Sequence, residues 1–239
     1  MRYLRNNNLA VCIMSGGLDS FCTAAYLTKK NYKLKVLTFS YGQRARHEIL
    51  QAKKFSKVLK VSEHKIININ FMKKLYGNSN VITNENIDIP SGFRHDIVVP
   101  IRNGIFITIA MAWAVSLKAK MIAFGAHSDD KFYPDCRPEF IRSLDKSLNL
   151  ANIDEIKNDK KAKISIWSPS LQGIDKSRLL RIGYDILGDV IFESWSCYSN
   201  GFMDPVKGIM HCGECESCIN RKIAFNKATL RDKTIYANN

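Results

Sequence analysis

The sequence predicts an α/β protein, a parallel five-stranded doubly wound sheet with helices on both faces and a small cysteine-rich region at the C-terminal end. Three observations carry this expectation. Short apolar runs alternate with segments of helical period between residues 9 and 187, as in strands joined by crossover helices. The strand exits at Ser15-Gly16-Gly17, Ser40-Tyr41-Gly42 and His127-Ser128-Asp129 are polar or glycine-rich. Ligands of such sheets sit beyond the carboxyl ends of the strands. Four of the seven cysteines lie between residues 197 and 218.

In chain order, Leu9 to Met14 is an apolar run of strand length that breaks into two glycines. A helix-compatible segment follows from Phe21 to Lys30, then a second strand over Leu34 to Ser40. Ile49, Ala52, Phe55, Val58 and Leu59 recur at helical spacing, and Lys65 to Ile69 reads as a third strand. Residues 70–99 keep no period and form a long loop, of the kind that is usually functional or mobile. The segment from Arg102 to Lys118 is apolar nearly all round, so it is expected to be a largely buried helix. A fourth strand at Met121 to Gly125, a helix running to about Asn149 and a charged excursion at 152–161 come next. A fifth strand at Ile164 to Trp167 and a helix near Lys176 to Leu187 complete an α/β domain assigned to residues 1–190, leaving 191–239 as a separate region.

Composition narrows the classes. With 46% hydrophobic and 24% charged residues the chain is globular. No run looks membrane-spanning, and Met1 to Asn6 lacks a signal peptide's apolar core, so a cytoplasmic protein with no membrane partner is expected. Seven cysteines in that setting point to metal binding or buried thiols before disulfides. The net charge of +14 suits anionic ligands, but no nucleic-acid-binding module accompanies it and aromatics are not interleaved with the lysines.

Two stretches carry chemistry. A strand that breaks into Ser15-Gly16-Gly17 and re-forms as a helix can hold phosphate, because glycine permits a tight turn and the helix N-terminus offers unsatisfied donors. No Gly-Lys-Ser/Thr follows, so it is not a Walker loop. The nucleotide-binding candidate is Met14, Ser15, Gly16, Gly17, Leu18, Asp19 and Ser20. The second stretch is Cys212-Gly213-Glu214-Cys215-Glu216-Ser217-Cys218, to which Cys197 adds a fourth thiolate. Four soft ligands with short chelate loops suit a closed tetrahedral zinc site. The bacterial ferredoxin run shares the spacing but continues into a further Cys-Pro, whereas Ile219-Asn220-Arg221 stands here. Cys136, beside Arg137 at a helix start, is expected to have a lowered pKa and to be a candidate nucleophile, or else a small buried residue.

The Ser15-Gly16-Gly17-Leu18-Asp19-Ser20 string resembles the pyrophosphate loop of the N-type ATP pyrophosphatases, which adenylate their substrates. Together with Tyr41-Gly42-Gln43-Arg44, Val99-Pro100-Ile101-Arg102-Asn103, Tyr133-Pro134-Asp135-Cys136-Arg137-Pro138-Glu139-Phe140 and the cysteine cluster, it is similar in order and content to the 7-cyano-7-deazaguanine synthases. That resemblance implies an adenine-nucleotide-binding domain and an ATP-dependent ligase that turns 7-carboxy-7-deazaguanine and ammonia into the nitrile. ATP, Mg2+ and Zn2+ are the implied cofactors, Cys197, Cys212, Cys215 and Cys218 the implied zinc ligands, and a homodimer the implied assembly. Nucleic acid is not required. Asp19 is then a candidate magnesium ligand, and Arg44, Arg102 and Arg137 are candidates for phosphate or the substrate carboxylate, each equally a candidate structural ion-pair partner. Asp135 is read as accepting from the deazaguanine N–H groups or as capping the next helix, and Lys176 as reaching a phosphate. His127 and Asp129 stand where they could assist proton transfer. Lys131-Phe132, where the family often has Gly, the Ala126 to Asp130 exit and the 152–161 insert depart from the family pattern. They leave open a relative that attaches deazaguanine to a protein or peptide amine. An adenylating tRNA-modifying enzyme is a further alternative that shares the loop.

Overall fold

The computed structural model describes residues 8–237, so Met1 to Asn6, read above for a signal peptide, lies outside the described residues. Five parallel strands, β1 (Leu9–Ile13), β2 (Lys33–Ser40), β3 (Glu63–Asn68), β4 (Met121–Ala123) and β5 (Ser165–Trp167), form one sheet in the order β3-β2-β1-β4-β5. The expected five-stranded parallel sheet is present. Sequence order runs outward from β1 to β3 and then jumps to β4 on β1's other side. The connectivity therefore reverses between β1 and β4, and the loops leaving these two strands open a crevice at their carboxyl ends.

β1 is buried on both faces, and its alternating side chains serve two cores. Leu9, Val11 and Ile13 pack with Phe106, Ile107 and Ala110 of α4 (Arg102–Ser116) and Ile141 of α5 (Pro138–Leu150). Ala10, Cys12 and Met14 pack on the other face with Phe21 of α1 (Leu18–Lys29) and Ala52 and Phe55 of α2 (His47–Val58). The Phe21 and Phe55 rings stack with centroids 3.6 Å apart. Burying each such ring contributes roughly 1.5–3 kcal/mol. The sheet is thus doubly wound, as the two interleaved apolar periods of β1 require.

The helix α4 is present, but it buries one face only, with Thr108, Ala112 and Ser116 exposed, and is less enclosed than its nearly all-round apolar sequence predicts. Together with the 3-10 turn at His95–Ile97 it makes the one stretch among the described residues, His95–Ser116, long and apolar enough to cross a membrane. Its buried residues Ile107, Ala110 and Ala114 share the core with the sheet, as those of a core helix do.

Five elements were not legible in the sequence. Residues 70–99 contain α3 (Phe71–Tyr76), and their Val81, Ile82, Ile97 and Val99 are buried in the first core, so this long loop is packed rather than loose. The charged excursion contains α6 (Ile153–Asn158). The C-terminal region holds an antiparallel hairpin, β6 (Phe202–Asp204) with β7 (Gly208–Met210), and α8 (Glu216–Lys227). Leu18 of α1, Leu179 and Leu180 of α7 (Lys176–Leu187) and Ala224 and Phe225 of α8 share a third core that joins this region to the sheet domain. There α7 approaches α1 so closely that a Cβ on Gly183 would lie 2.2 Å from the Cys22 sulfur.

Candidate active site and metal centre

The crevice between β1 and β4 opens into a cavity of about 660 Å³. On the β1 side, Ser15-Gly16-Gly17 makes the turn and α1 already begins at Leu18, three residues earlier than its apolar period suggests. Gly16 has φ +100°, and a Cβ there would lie 2.0 Å from the Glu48 carbonyl oxygen, so only glycine allows the loop to pass under α2. Ser15 N donates to Ser20 Oγ at 3.2 Å, Gly17 N to Ser15 Oγ at 3.2 Å, and Ser20 Oγ to Gly17 O at 3.0 Å. Gly17 caps α1 with no side-chain hydrogen bond, leaving the helix's first N–H groups for an anion. Met14 and Leu18 put their side chains into the core, so only their backbone faces the loop. The β4 side comes as close as its chemistry permits. A Cβ on Gly125 would lie 2.7 Å from Ser20 N.

Asp19, in the first turn of α1, is the centre of a charged cluster drawn from three segments. Lys176 Nζ, at the start of α7, donates to Asp19 Oδ2 at 2.6 Å. His127 Nε2, from the β4 exit, lies 3.7 Å from the same oxygen, and His127 Nδ1 lies 3.5 Å from Asp130 Oδ2. Burial by itself raises the Asp19 carboxyl, but Lys176 and His127 outweigh it and hold it well below the usual carboxylate range. Burial disfavours the His127 imidazolium, yet Asp19 and Asp130 prevail and its pKa is raised. Asp130 is raised chiefly by burial, against the pull of His127. Asp129, considered for proton transfer, instead accepts the backbone N–H of Lys176 at 3.0 Å and so fixes the start of α7.

Arg102 lines the cavity, donating to the Tyr41 hydroxyl at 3.1 Å and lying over the Tyr41 and Phe106 rings. It follows Ile101, a β-branched residue held at φ +55°, a costly backbone state that turns the chain sharply into α4. Asp135 also lines the cavity, but its oxygens are engaged. Oδ2 accepts Asn103 N at 2.8 Å and Oδ1 accepts Asn103 Nδ2 at 3.1 Å, so it caps α4 behind it and not α5 ahead.

Three expectations need correcting. Arg44 points away from the cavity and clamps the long loop through the carbonyls of Val81, Asn84 and Ile87 at 3.4, 3.2 and 2.6 Å. Arg137 is exposed and donates to the Lys131 carbonyl oxygen at 3.0 Å. Cys136 lines the cavity and has a raised pKa: burial, Asp130 and Asp135 favour the thiol, against Arg102 and Asn103. Iodoacetamide should therefore label Cys136 slowly through pH 8, read by peptide mass spectrometry of the metal-loaded protein; rapid labelling at pH 7 would restore the thiolate.

Glu48, Asp130, Gly125 and Glu216 were not singled out from sequence. Glu48 lines the cavity in the first turn of α2, and burial pushes its carboxyl up to about 7, with Arg102 opposing and Cys197 adding to the rise. Its place just after Tyr41-Gly42-Gln43-Arg44 was the available signal.

The four cysteines converge as their spacing predicts. Cys197, Cys212, Cys215 and Cys218 are buried, with their sulfurs all within 4.8 Å of one another. Zn–S bonds of ~2.3 Å in a tetrahedron place the sulfurs roughly 3.8 Å apart, and Cys212 and Cys218 stand at 3.8 Å. Cys212 N and Cys215 N point at the Cys197 and Cys212 sulfurs at 3.4 and 3.2 Å, as in thiolate sites. The donor set fits zinc. Zinc bound there would supply a closed cross-link between the 195–199 turn and the N-terminus of α8.

Behind it, the fully buried Arg221 ties three segments together. It donates to Ser194 Oγ, Ser196 Oγ and Thr234 Oγ1 at 2.7, 3.0 and 2.9 Å. Arg221→Met should cost about 3 kcal/mol by stranding these partners. The melting temperature should then fall by roughly 6–12 °C. An unchanged melting curve would show that the network contributes nothing.

Comparison with known proteins agrees with this geometry. Residues 9–229 match the family model described as "Queuosine biosynthesis protein QueC". A 7-cyano-7-deazaguanine synthase of Methanococcus maripaludis is 34% identical over 238 residues, covering 95% of this chain and 98% of that protein. One from Sulfurihydrogenibium sp. is 36% identical over 236 residues, covering 97% and 99%. Among solved structures, a 4-thiouridine synthetase–RNA complex with bound ATP superposes with TM-score 0.52 at 14% identity, over 93% of this chain and 50% of that one, a likeness of fold. The loop at the sheet's switch point, the four-cysteine centre and the near-complete match lead to one conclusion: this chain belongs to the QueC family of queuosine biosynthesis proteins.

Proposed function

We propose that this chain is a 7-cyano-7-deazaguanine synthase, an ATP-dependent ligase that converts 7-carboxy-7-deazaguanine and ammonia to the nitrile. The observation that carries this reading is a single cavity shared by the Ser15–Ser20 loop, the Asp19–Lys176 pair and Arg102, in a chain that matches synthases over nearly its whole length. A carboxylate is a poor electrophile at neutral pH. ATP transfers AMP to it and pyrophosphate leaves; ammonia then displaces AMP and leaves an amide. A second ATP adenylates the amide oxygen, again releasing pyrophosphate, and loss of AMP with the nitrogen-bound protons gives the nitrile.

The backbone donors of Ser15 to Ser20 and Lys176 are placed to hold the charge that gathers on departing pyrophosphate. Magnesium accompanying ATP would supply further neutralisation, and Asp19, ionised and beside the loop, is its candidate ligand. Arg102 is the candidate for the substrate carboxylate. Asp135 acts through Asn103 on the start of α4, and Cys136 remains a cavity-lining thiol. Residues 191–239 serve as a metal-stapled unit on the sheet domain of residues 1–190. A cytoplasmic homodimer without a nucleic-acid requirement completes the reading.

The test is mass spectrometry of products from 7-carboxy-7-deazaguanine, ATP and ammonia. The nitrile, AMP and pyrophosphate are expected. An amide end product, or a deazaguanine adduct formed only when a peptide amine is supplied, would replace the acceptor. Turnover that depends on tRNA would replace the reaction class.

A further inference from the structure

Glu216 lies between two metal ligands, directly after Cys215, yet its side chain lines the active-site cavity. Its Oε2 accepts from the Tyr198 hydroxyl at 2.6 Å, and Tyr198 itself follows Cys197. Tyr198 and Tyr133 hydroxyls stand 3.2 Å apart. The single Tyr198 hydroxyl proton goes to Glu216, so the chain has one direction: Tyr133 donates to Tyr198, which donates to Glu216. The Glu216 backbone N–H is pinned to the Pro90 carbonyl at 3.2 Å, and Asn220 Nδ2 donates to Oε1 at 2.5 Å. The carboxylate is therefore fixed from several sides and keeps lone pairs free. Beside it, Phe93 stacks on Phe132 at 4.7 Å and meets Tyr133 edge-on at 5.9 Å, giving the same cavity an aromatic wall.

An aromatic wall with one anchored carboxylate suits a flat heterocycle that presents adjacent N–H donors. Asp135, the candidate singled out from sequence, spends both oxygens on Asn103 at the start of α4, whereas one of the two bonds to Glu216 comes from Asn220, an exposed neighbour on its own helix. We propose that Glu216, positioned by Tyr198 and the four-cysteine centre, reads the ring N–H and exocyclic amino group of the substrate's aminopyrimidinone edge. The metal centre thus shapes substrate specificity by placing two cavity side chains from its own chelate loops. This inference rests on the synthase reading above.

Zinc-loaded wild type, E216Q and Y198F are compared with 7-carboxy-7-deazaguanine and its analogue lacking the exocyclic amino group. Wild type should favour the amino-bearing ring by about 100-fold or more in kcat/KM, because the analogue leaves the carboxylate unpaired. E216Q should lose at least about tenfold of that preference, since its amide puts a donor where an acceptor is needed. Y198F should raise KM with little change in kcat, while zinc content by elemental mass spectrometry stays at the wild-type level. Undiminished discrimination in E216Q, or none in wild type, overturns the proposal. If E216Q loses zinc, the discrimination of Y198F decides on the same criterion. Failure of the synthase reading looks different: wild type would release no pyrophosphate with the carboxylate and ammonia. Calorimetric binding of the carboxylate to wild type and E216Q still reads recognition in that event, and equal Kd values overturn the role of Glu216.

Discussion

Asp19→Ala is expected to lower pyrophosphate release by at least about 10³-fold while leaving the circular dichroism spectrum unchanged. The carboxylate sits in the first turn of α1, partly open to the cavity, and it is the shared anion of Lys176 and His127. Removing it takes away the candidate metal ligand and frees Lys176 from the position in which it faces the phosphate loop. The fold should survive, because α1 is held by Phe21, Ala24 and Leu27 in the second core. A variant retaining more than a tenth of wild-type turnover would remove Asp19 from the chemistry.

The same cluster has a pH signature. Asp19 has a lowered pKa, so its contribution to stability is present above the unfolded carboxylate value of about 3.9 and lost as pH falls below it. His127 has a raised pKa, so its contribution is present below about 6.5 and lost as pH climbs through the folded value. Both act between these limits, and the alanine variant should lose most melting temperature there.

The way sequence reasoning divided between success and failure has a physical cause. β1, β2, α1 and α4 were legible because each carries its own burial pattern within a few residues, and the Ser15–Gly17 turn because a glycine pair breaks the apolar run between strand and helix. The cysteine centre was legible because chelate spacing is local. Arg44, Arg137 and Cys136 were not, since what decides them is where the folded chain turns and buries each side chain. Arg44 meets carbonyls some 40 residues away, and Cys136 takes its raised pKa from burial and from Asp130. The hairpin of β6 and β7 has strands of three residues, too short for any period, and its turn is made by Asp204 accepting from Val206 N and Lys207 N. α8 escaped notice because its buried side is set by Cys218, Arg221 and Phe225, a mixed set that no hydrophobic stripe announces.

Cys215→Ser should remove zinc and stability together. Cys215 is the N-cap of α8, so a metal held there would also fix the direction in which the helix leaves. Structural zinc contributes on the order of 10–16 kcal/mol to the folding of small sites, against roughly 5–15 kcal/mol for a whole domain. Losing one of four thiolates therefore threatens the C-terminal region as a unit. The sheet domain feels it as well. Ala224 and Phe225 of α8 pack on Leu18, and Trp195 N donates to the carbonyl oxygen of Gly16, in the phosphate loop itself, at 3.0 Å. Zinc below about a fifth of wild type, a melting temperature lower by 10 °C or more, and weakened ATP binding are expected in the same preparation. Zinc at one equivalent would take Cys215 out of the centre. Zinc lost with an unchanged melting curve would instead show that Arg221 and the third core hold α8 without the metal.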